Sequence, residues 1–311
     1  MVNSDQHVYF SGLSCEFGDT QCSFKDIEHF ESQCATAGLE TDLTQMGCNT
    51  FWKMTQPLQQ YIYQAVKATL SKCALAPEAI DRVIFATSDD NLRWFSRDTV
   101  GEVLTALGLS NCTPMVVSLQ QCASSLTALD TGKSLLTQGQ AKNVLVVNFD
   151  FAVDDSRRIT SFALFGDAVI SYLLSTDPIS SLTVGHSVIG VDYAGFSGKD
   201  DFASRVAVSK KVYDNIFAHY GSLADDIERF FSTNTYRPVA TMSASLSGIH
   251  RSKLDIDTLK DRAHCGICDW AINLENYLHQ GEGYRVIEAG KKFAVQASAP
   301  GFFACTILES V

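Results

Sequence analysis

Cys122 is the residue whose type and position most clearly predict chemistry. It lies between Met115 to Ser118, an unbroken apolar run typical of a buried strand, and Ala123 to Leu136, which carries apolar residues at helical spacing. The first turn of a helix offers unpaired backbone N–H groups and the positive end of the helix dipole, which favour thiolate over thiol. This position predicts a nucleophilic thiol. The alternative is that Cys122 is simply one of ten cysteines, packed as a small apolar group.

A second candidate is the C-x-x-C motif of Cys265 and Cys268, which directly follows His264. Such pairs occur in zinc sites and in dithiol oxidoreductases. A structural zinc normally needs four ligands, and the sequence contains no second C-x-x-C or H-x-x-x-H pair. A redox pair would be expected near the start of its own fold. We therefore expect no metal site.

The elements around these residues alternate between buried strands and helices. Strands are predicted at three apolar runs of the first half: 82–87, 115–118 and 144–148. Helices are predicted at Leu58 to Leu75 and Ala123 to Leu136. This alternation favours an α/β fold with a covered central sheet.

The second half of the chain repeats this plan. Its predicted elements are strands at 182–184, 292–296 and 304–308, and helices at 206–220 and 224–231. Phe165 to Leu174 and Pro300 to Leu308 both run from a glycine-containing turn into an apolar strand. We expect two halves, residues 1–176 with the cysteine nucleophile and residues 177–311, packed as one compact unit.

Composition excludes several classes of protein. The 311 residues are 46% hydrophobic, enough for a large core, and the net charge of -11 disfavours nucleic acid or an anionic membrane as partner. No apolar run is long enough to cross a bilayer, and the N-terminal residues 1–6 lack the basic start of a targeting signal. The expected location is the cytoplasm, with the scattered cysteines as free thiols.

From about His7 onward the chain resembles the type III β-ketoacyl-acyl-carrier-protein synthases of the thiolase superfamily. The segments that carry this resemblance, in order, are Ala86 to Ser88, Leu107 to Leu109, the stretch around Cys122, Phe165 to Asp167, and Gly301-Phe302. The resemblance implies the thiolase fold, with two pseudo-repeated βαβαβαββ halves in a five-layered αβαβα arrangement. It also implies a homodimer.

In that family the cysteine takes an acyl group from a coenzyme A or carrier-protein thioester, and a His and an Asn assist the reaction. By position the family's His falls on Asn234 and its Asn falls on His264, so the two residue types are exchanged. Only imidazole moves a proton near pH 7. The resemblance thus implies His264 as general base or thiolate partner, with His250 as the alternative, and Asn234 as a polar orienting group. Otherwise Asn234 is a helix cap.

Two further departures concern substrate binding. The family's oxyanion hole uses the N–H of the nucleophile, here Cys122, and one from a glycine-rich loop, where this chain has Pro300 and Gly301. Proline has no N–H, so Gly301 is the implied donor. The family's coenzyme A arginine is absent from Leu43 to Met46, which leaves Arg157 and Arg158 as phosphate contacts and favours a carrier protein as acyl donor.

These departures favour an acyltransferase of specialised metabolism, in which Cys122 is acylated by an acyl-carrier-protein or acyl-coenzyme A thioester and no cofactor is permanently bound. The acceptor would be a small molecule or a carrier-tethered intermediate. One alternative is decarboxylative condensation with a malonyl-carrier protein. Another is a non-catalytic subunit of a heterodimer.

Overall fold

The computed structural model describes residues 7–221, 224–280 and 283–311, so the N-terminal residues 1–6 discussed above lie outside it. Within these residues the strands are β1 (Tyr9–Phe17), β2 (Thr20–Ser23), β3 (Thr50–Lys53), β4 (Arg82–Ala86), β5 (Thr113–Val117), β6 (Asn143–Asp150), β7 (Ala168–Ser175), β8 (Leu182–Val191), β9 (Ile227–Phe231), β10 (Leu254–Asp255), β11 (His279–Gln280), β12 (Gly283–Tyr284), β13 (Lys292–Ala299) and β14 (Phe302–Ser310). The helices are α1 (Phe30–Ala37), α2 (Leu58–Lys72), α3 (Asp89–Leu92), α4 (Arg97–Ala106), α5 (Ser124–Thr137), α6 (Tyr193–Phe196), α7 (Phe202–Tyr220), α8 (Arg237–Leu246), α9 (Leu259–Arg262) and α10 (Asp269–Leu278).

Ten strands form two groups of five with the same topology. The first group has the order β5-β4-β6-β7-β1, and the second has the order β10-β9-β13-β14-β8. In each group the first three strands are parallel and the last two are antiparallel additions. The groups meet where Tyr9 of β1 lies opposite Thr183 of β8. The chain therefore builds one plan twice.

Helices cover both groups of strands and also separate them. α5 and α10 lie in the middle, because each contacts strands of both groups. α2 packs on β1 and β7 on one outer side, and α7 packs on β8 and β14 on the other. The result is five alternating layers of helix and sheet, as expected. β6 and β7 are buried along their whole length, which explains why their sequences are mostly apolar without alternation.

Most of the predicted elements are confirmed, and one is wrong. The predicted strand at 115–118 is β5, but β5 is an edge strand and is not buried as expected. The predicted strands at 82–87, 144–148, 292–296 and 304–308 correspond to β4, β6, β13 and β14, and the predicted helix at 206–220 lies within α7. The predicted helix at 224–231 is instead a turn of 3-10 helix followed by β9. Phe230 and Phe231 belong to the cores on opposite faces of the sheet, which is the period of a strand. A window of eight residues is too short for the spacing of its apolar residues to distinguish a helix from a strand.

None of the helices in the described ranges is both long and apolar enough to span a bilayer.

Candidate active site

A strained turn presents Cys122 at the centre of the molecule. Between β5 and α5 the chain turns sharply, with positive φ at Leu119 (76°) and at Gln121 (48°). Cys122 follows in a single 3-10 turn that leads into α5. Ser125 donates a hydrogen bond to the carbonyl of Cys122 (2.9 Å) and accepts one from the indole of Trp270 (3.0 Å). These bonds tie the cysteine to α10 in the second half of the chain.

His264 reaches the same place because its backbone is fixed to the Phe-Gly-Asp segment. The N–H of His264 donates to the carbonyl of Leu164 (2.8 Å), and the N–H of Gly166 donates to the carbonyl of His264 (2.9 Å). A Cβ at Gly166 would lie 2.4 Å from the carbonyl oxygen of Arg262, so only glycine allows this close approach. The Phe-Gly-Asp segment thus positions the imidazole.

Three side chains form a continuous relay. Sγ of Cys122 lies 3.8 Å from Nε2 of His264, and Nδ1 of His264 lies 2.5 Å from Oδ2 of Asp269. Asp269 is held in turn by backbone N–H groups of Asn234 and Cys265, each at 2.7 Å. His264 and Asp269 are 2% and 1% exposed, so the relay is protected from water. Thiol, imidazole and carboxylate stand in the order that nucleophilic catalysis requires.

Burial and charge set the proton affinities of this relay. Burial raises the pKa of the Cys122 thiol above its ordinary value, although His264 acts in the opposite direction. Burial also opposes a charged imidazole, but Asp269 and Cys122 outweigh it and hold the pKa of His264 well above its ordinary value. The raised pKa of the Cys122 thiol does not fit the expectation that the start of a helix lowers it. The imidazole of His264 is the group beside the thiol that favours its ionised form.

Cys122 opens onto a pocket of about 530 Å³. Aromatic and aliphatic groups line its walls, including Ile159, Phe162 and Phe165. The ring of Phe165 lies 4.8 Å from the ring of His264, measured between centroids. The pocket has the mixed polar and apolar lining expected of a small-molecule site.

Asn234 is not among the residues that line this pocket. Its side-chain amide is buried and donates to the hydroxyl of Thr258 (3.0 Å) and the carbonyl of Ala263 (3.1 Å), while its oxygen accepts from Asn273 (2.9 Å). This placement does not fit the expectation that the Asn234 amide orients a thioester. Its backbone N–H instead holds the carboxylate of Asp269.

The other two predicted contacts near the thiol are also displaced. His250 is exposed and its ring pairs with the hydroxyl of Ser252 (2.7 Å), so His264 is the histidine that meets Cys122. Pro300 lines the pocket, but Gly301 packs against α6, with its nitrogen 2.9 Å from where a Cβ of Gly195 would lie. This packing does not support Gly301 as the second oxyanion donor.

The two arginines differ in their surroundings. Arg157 is exposed and lines the pocket. Arg158 is 1% exposed and forms ion pairs with Asp155 (2.7 Å) and Asp167 (2.9 Å). Asp167 also accepts the backbone N–H of Met54 (2.9 Å), so this cluster is structural. Arg158 cannot contact a phosphate without breaking buried ion pairs, which leaves Arg157 as the candidate.

The C-x-x-C motif is part of the core. Cys265 and Cys268 are fully buried free thiols, and burial raises the pKa of both well above the ordinary value. Across the residues that the structure describes, no group of three or more His, Cys, Asp or Glu side chains is arranged to hold a metal ion.

Sequence reasoning missed Asp269 and Asp150. Asp269 stands five residues after His264 at the start of a helix, and an acidic residue at that point was the available signal. Asp150 ends β6 and lines the pocket beside Cys122. Nothing in the sequence around Asp150 distinguishes it from an acidic residue that simply ends a buried strand.

Part of the sequence matches a known protein family. Residues 118–192 match the family model for 3-oxoacyl-[acyl-carrier-protein] synthase III, a segment that contains Cys122 and ends before His264. The β-ketoacyl-[acyl-carrier-protein] synthase III of Neisseria gonorrhoeae is 24% identical over 264 residues, covering 77% of this chain and 79% of that protein.

Solved structures extend the similarity to the whole chain. ChlB3, described as an acyltransferase, superposes with a TM-score of 0.80 at 14% identity and covers 98% of both chains. The 3-oxoacyl-(acyl carrier protein) synthase III of Xanthomonas oryzae superposes with a TM-score of 0.80 at 15% identity, covering 98% of this chain and 99% of that one. The chain therefore has the thiolase fold and is similar to the β-ketoacyl-[acyl-carrier-protein] synthases III, from which its sequence is divergent.

Proposed function

We propose that this enzyme is an acyltransferase of specialised metabolism that forms an acyl thioester on Cys122 and passes the acyl group to a small-molecule or carrier-tethered acceptor. The observation that carries this proposal is the relay from Cys122 through His264 to Asp269. A histidine fixed by a buried carboxylate suits proton transfer at each step of acyl exchange. The donor is an acyl-carrier-protein or acyl-coenzyme A thioester, and no permanently bound cofactor is required.

The relay supports both half-reactions. Nε2 of His264 takes the thiol proton as Sγ of Cys122 attacks the thioester carbonyl, and the tetrahedral intermediate expels the donor thiol, which receives that proton. Acyl-Cys122 remains. His264 then removes a proton from the hydroxyl, amine or carbon acid of the acceptor, which attacks the acyl carbon. The Cys122–carbonyl bond breaks, and the sulfur recovers the proton from His264.

The pocket suggests how the donor is held. The backbone N–H of Cys122 is the proposed donor to the developing oxyanion, and losing the family's second donor at Pro300 would slow the reaction by about 10²–10³. Arg157, which is exposed and lines the pocket, is the proposed contact for the phosphate of a phosphopantetheine arm. A carrier protein and coenzyme A share that arm.

Intact-protein mass spectrometry tests this proposal. Wild type and Cys122→Ala are incubated with acyl-coenzyme A and acyl-carrier thioesters. A mass increase that is lost in Cys122→Ala and slowed severely in His264→Ala supports the mechanism. Wild-type rates in either variant would contradict it, and no adduct from any donor would favour a non-catalytic subunit.

The sequence relatives named as β-ketoacyl synthases make decarboxylative condensation the second candidate. It differs in one product, since a malonyl thioester would release carbon dioxide. If one carbon dioxide is released for each acyl group consumed, the reaction is decarboxylative condensation and not simple acyl transfer.

A homodimer is the proposed assembly. β5 is an edge strand of the described sheet, and Val116 on it is 47% exposed. Leu119, just beyond the strand, is 62% exposed. An apolar open edge favours pairing with another strand, and a second copy of β5 would continue the sheet symmetrically.

A further inference from the structure

The polar residues that line the pocket beside Cys122 differ in exposure. Arg157 is exposed and Arg205 is half-buried. Ser88, Asn91 and Asp150 also line the pocket and are 7%, 1% and 9% exposed. Under the proposed function Arg157 contacts the phosphate-bearing arm of the donor, which leaves these three buried side chains to contact the acyl group. The following inference rests on the proposed function.

These three buried side chains are tightly organised. Oδ1 of Asp150 accepts a hydrogen bond from the hydroxyl of Ser88 (2.6 Å) and another from the side-chain amide of Asn91. Oδ2 of Asp150 lies 3.4 Å from the backbone nitrogen of Ile267. Because the carboxylate can only accept, these bonds fix which way the Asn91 amide and the Ser88 hydroxyl point.

One acceptor in this cluster is left unused. Oδ1 of Asn91 is buried and has no hydrogen-bond partner among the residues that the structure describes. The NH2 group of Asn91 is bound to Asp150, so a flip of the amide would lose that bond. An unpaired buried carbonyl is energetically unfavourable, and a ligand with a donor group would remove that cost.

The hydroxyl proton of Ser88 and one of the two N–H groups of Asn91 are therefore bound to Asp150. The amide oxygen of Asn91 is the polar atom of this cluster that has no partner among the described residues. Asn91 offers its amide oxygen, and Asp150 offers the remaining lone pairs of its carboxylate. A plain hydrocarbon chain would leave these buried acceptors without partners. A hydroxyl or an ammonium group would satisfy them, and the ammonium would also pair with the charge of Asp150.

We propose that Ser88, Asn91 and Asp150 form an acyl-recognition site that selects acyl groups carrying a hydrogen-bond donor, a hydroxyl or an amino group, close to the thioester carbonyl. In this reading the enzyme transfers a hydroxyacyl or aminoacyl unit. Asn91 and Asp150 determine specificity and take no part in bond making.

The test compares donors of equal length on the wild-type enzyme. Butyryl, 2- and 3-hydroxybutyryl, and 2- and 3-aminobutyryl thioesters are supplied on coenzyme A and on a carrier protein, and the rate of Cys122 acylation is followed by intact mass spectrometry. At least one substituted donor is expected to acylate Cys122 roughly tenfold or more faster than butyryl. Comparing the hydroxyl-substituted with the amino-substituted thioesters shows which of the two groups the site recognises.

Variants separate recognition from general damage. Asn91→Leu has similar volume and is expected to reduce the preference to about threefold or less. Asp150→Asn keeps the shape and removes the charge, so it should lower the amino preference more than the hydroxyl preference. Arg157→Gln is the control, since it is expected to slow every donor equally and keep the ratio.

Three results would overturn the inference, and they can be distinguished from one another. If butyryl acylates Cys122 as fast as every substituted donor, the recognition site is refuted while the acyl-enzyme mechanism stands. If no donor acylates Cys122, the proposed function fails and this inference fails with it. A preference that survives unchanged in both Asn91→Leu and Asp150→Asn would also contradict the assignment.

Discussion

Oδ2 of Asp269 lies 2.5 Å from Nδ1 of His264, and both side chains are almost fully buried. This carboxylate fixes the imidazole with Nε2 facing the sulfur, and it raises the pKa of His264 against the effect of burial. The same carboxylate accepts two backbone N–H groups, so its position does not depend on the histidine.

Asp269→Asn is expected to lower the rate of Cys122 acylation about 10²–10⁴-fold. The imidazole would lose the carboxylate that fixes its tautomer and balances its positive charge. Removing the carboxylate also lowers the pKa of His264, so the pH at which the imidazole loses its proton should fall. Single-turnover acylation measured across pH checks both effects. A rate within threefold of wild type would refute the role of Asp269.

Asn234→Ala is expected to reduce stability and leave the chemistry intact. The Asn234 amide has three buried partners and does not line the pocket, so its loss should cost about 1–3 kcal/mol of unfolding free energy. The acylation rate of the folded protein should stay within about threefold. Chemical denaturation and acylation kinetics are compared, and a hundredfold rate loss at unchanged stability would restore Asn234 as a functional side chain.

Gly266→Ala should displace Asp150. A Cβ at Gly266 would lie 1.9 Å from Oδ2 of Asp150, and its φ is +58°. Gly139→Ala is a matched control, because Gly139 has φ +69° and no atom within 4 Å of its Cβ position. We expect about 1 kcal/mol of destabilisation at Gly139 from backbone strain alone, and a clearly larger loss at Gly266. Equal losses in thermal or chemical unfolding would show that the clash is relieved.

Asp150 should make stability depend on pH. Burial raises its pKa to about 6, above the ordinary value of 3.8 that applies in the unfolded chain. The folded protein therefore binds this proton more tightly, and the contribution of Asp150 to stability falls as pH rises from about 4 to 6. The unfolding free energy of Asp150→Asn minus that of wild type should increase by up to about 3 kcal/mol over this window and then remain level. A pH-independent difference would contradict the raised pKa.

Val116→Lys should weaken the proposed dimer, because a charge on an exposed edge strand opposes strand pairing. Size-exclusion chromatography with light scattering should show a dimer for wild type and a shift toward monomer for the variant. Met242→Lys, on the exposed face of α8, is the control and should leave the dimer unchanged. A monomeric wild type would refute the assembly.

The sequence was most informative where local pattern and burial coincide. β6 is mostly apolar without alternation because both of its faces are covered, and that signal can be read from Val144 to Val147. Cys122 was predicted from its position between an apolar strand and a helical pattern together with the family resemblance, although that strand, β5, is an exposed edge strand.

Contacts between residues that are far apart in the chain could not be predicted from local sequence patterns. The type of Asn234 suggested a polar active-site residue, but its side chain points into a network with Thr258 and Asn273 that assembles only on folding. Gly301 likewise meets α6, an element about a hundred residues earlier in the chain. Asp269 was missed because its importance comes from the turn that aims it at His264.

The thiol and its proton acceptor come from different repeats: Cys122 follows β5 of the first group of strands, and His264 follows β10 of the second, 142 residues later. During synthesis Cys122 therefore leaves the ribosome before His264 is added to the chain. Under the proposed mechanism the nascent first repeat would carry the thiol without its base, and Cys122 would gain its proton acceptor only when the second repeat has folded onto the first.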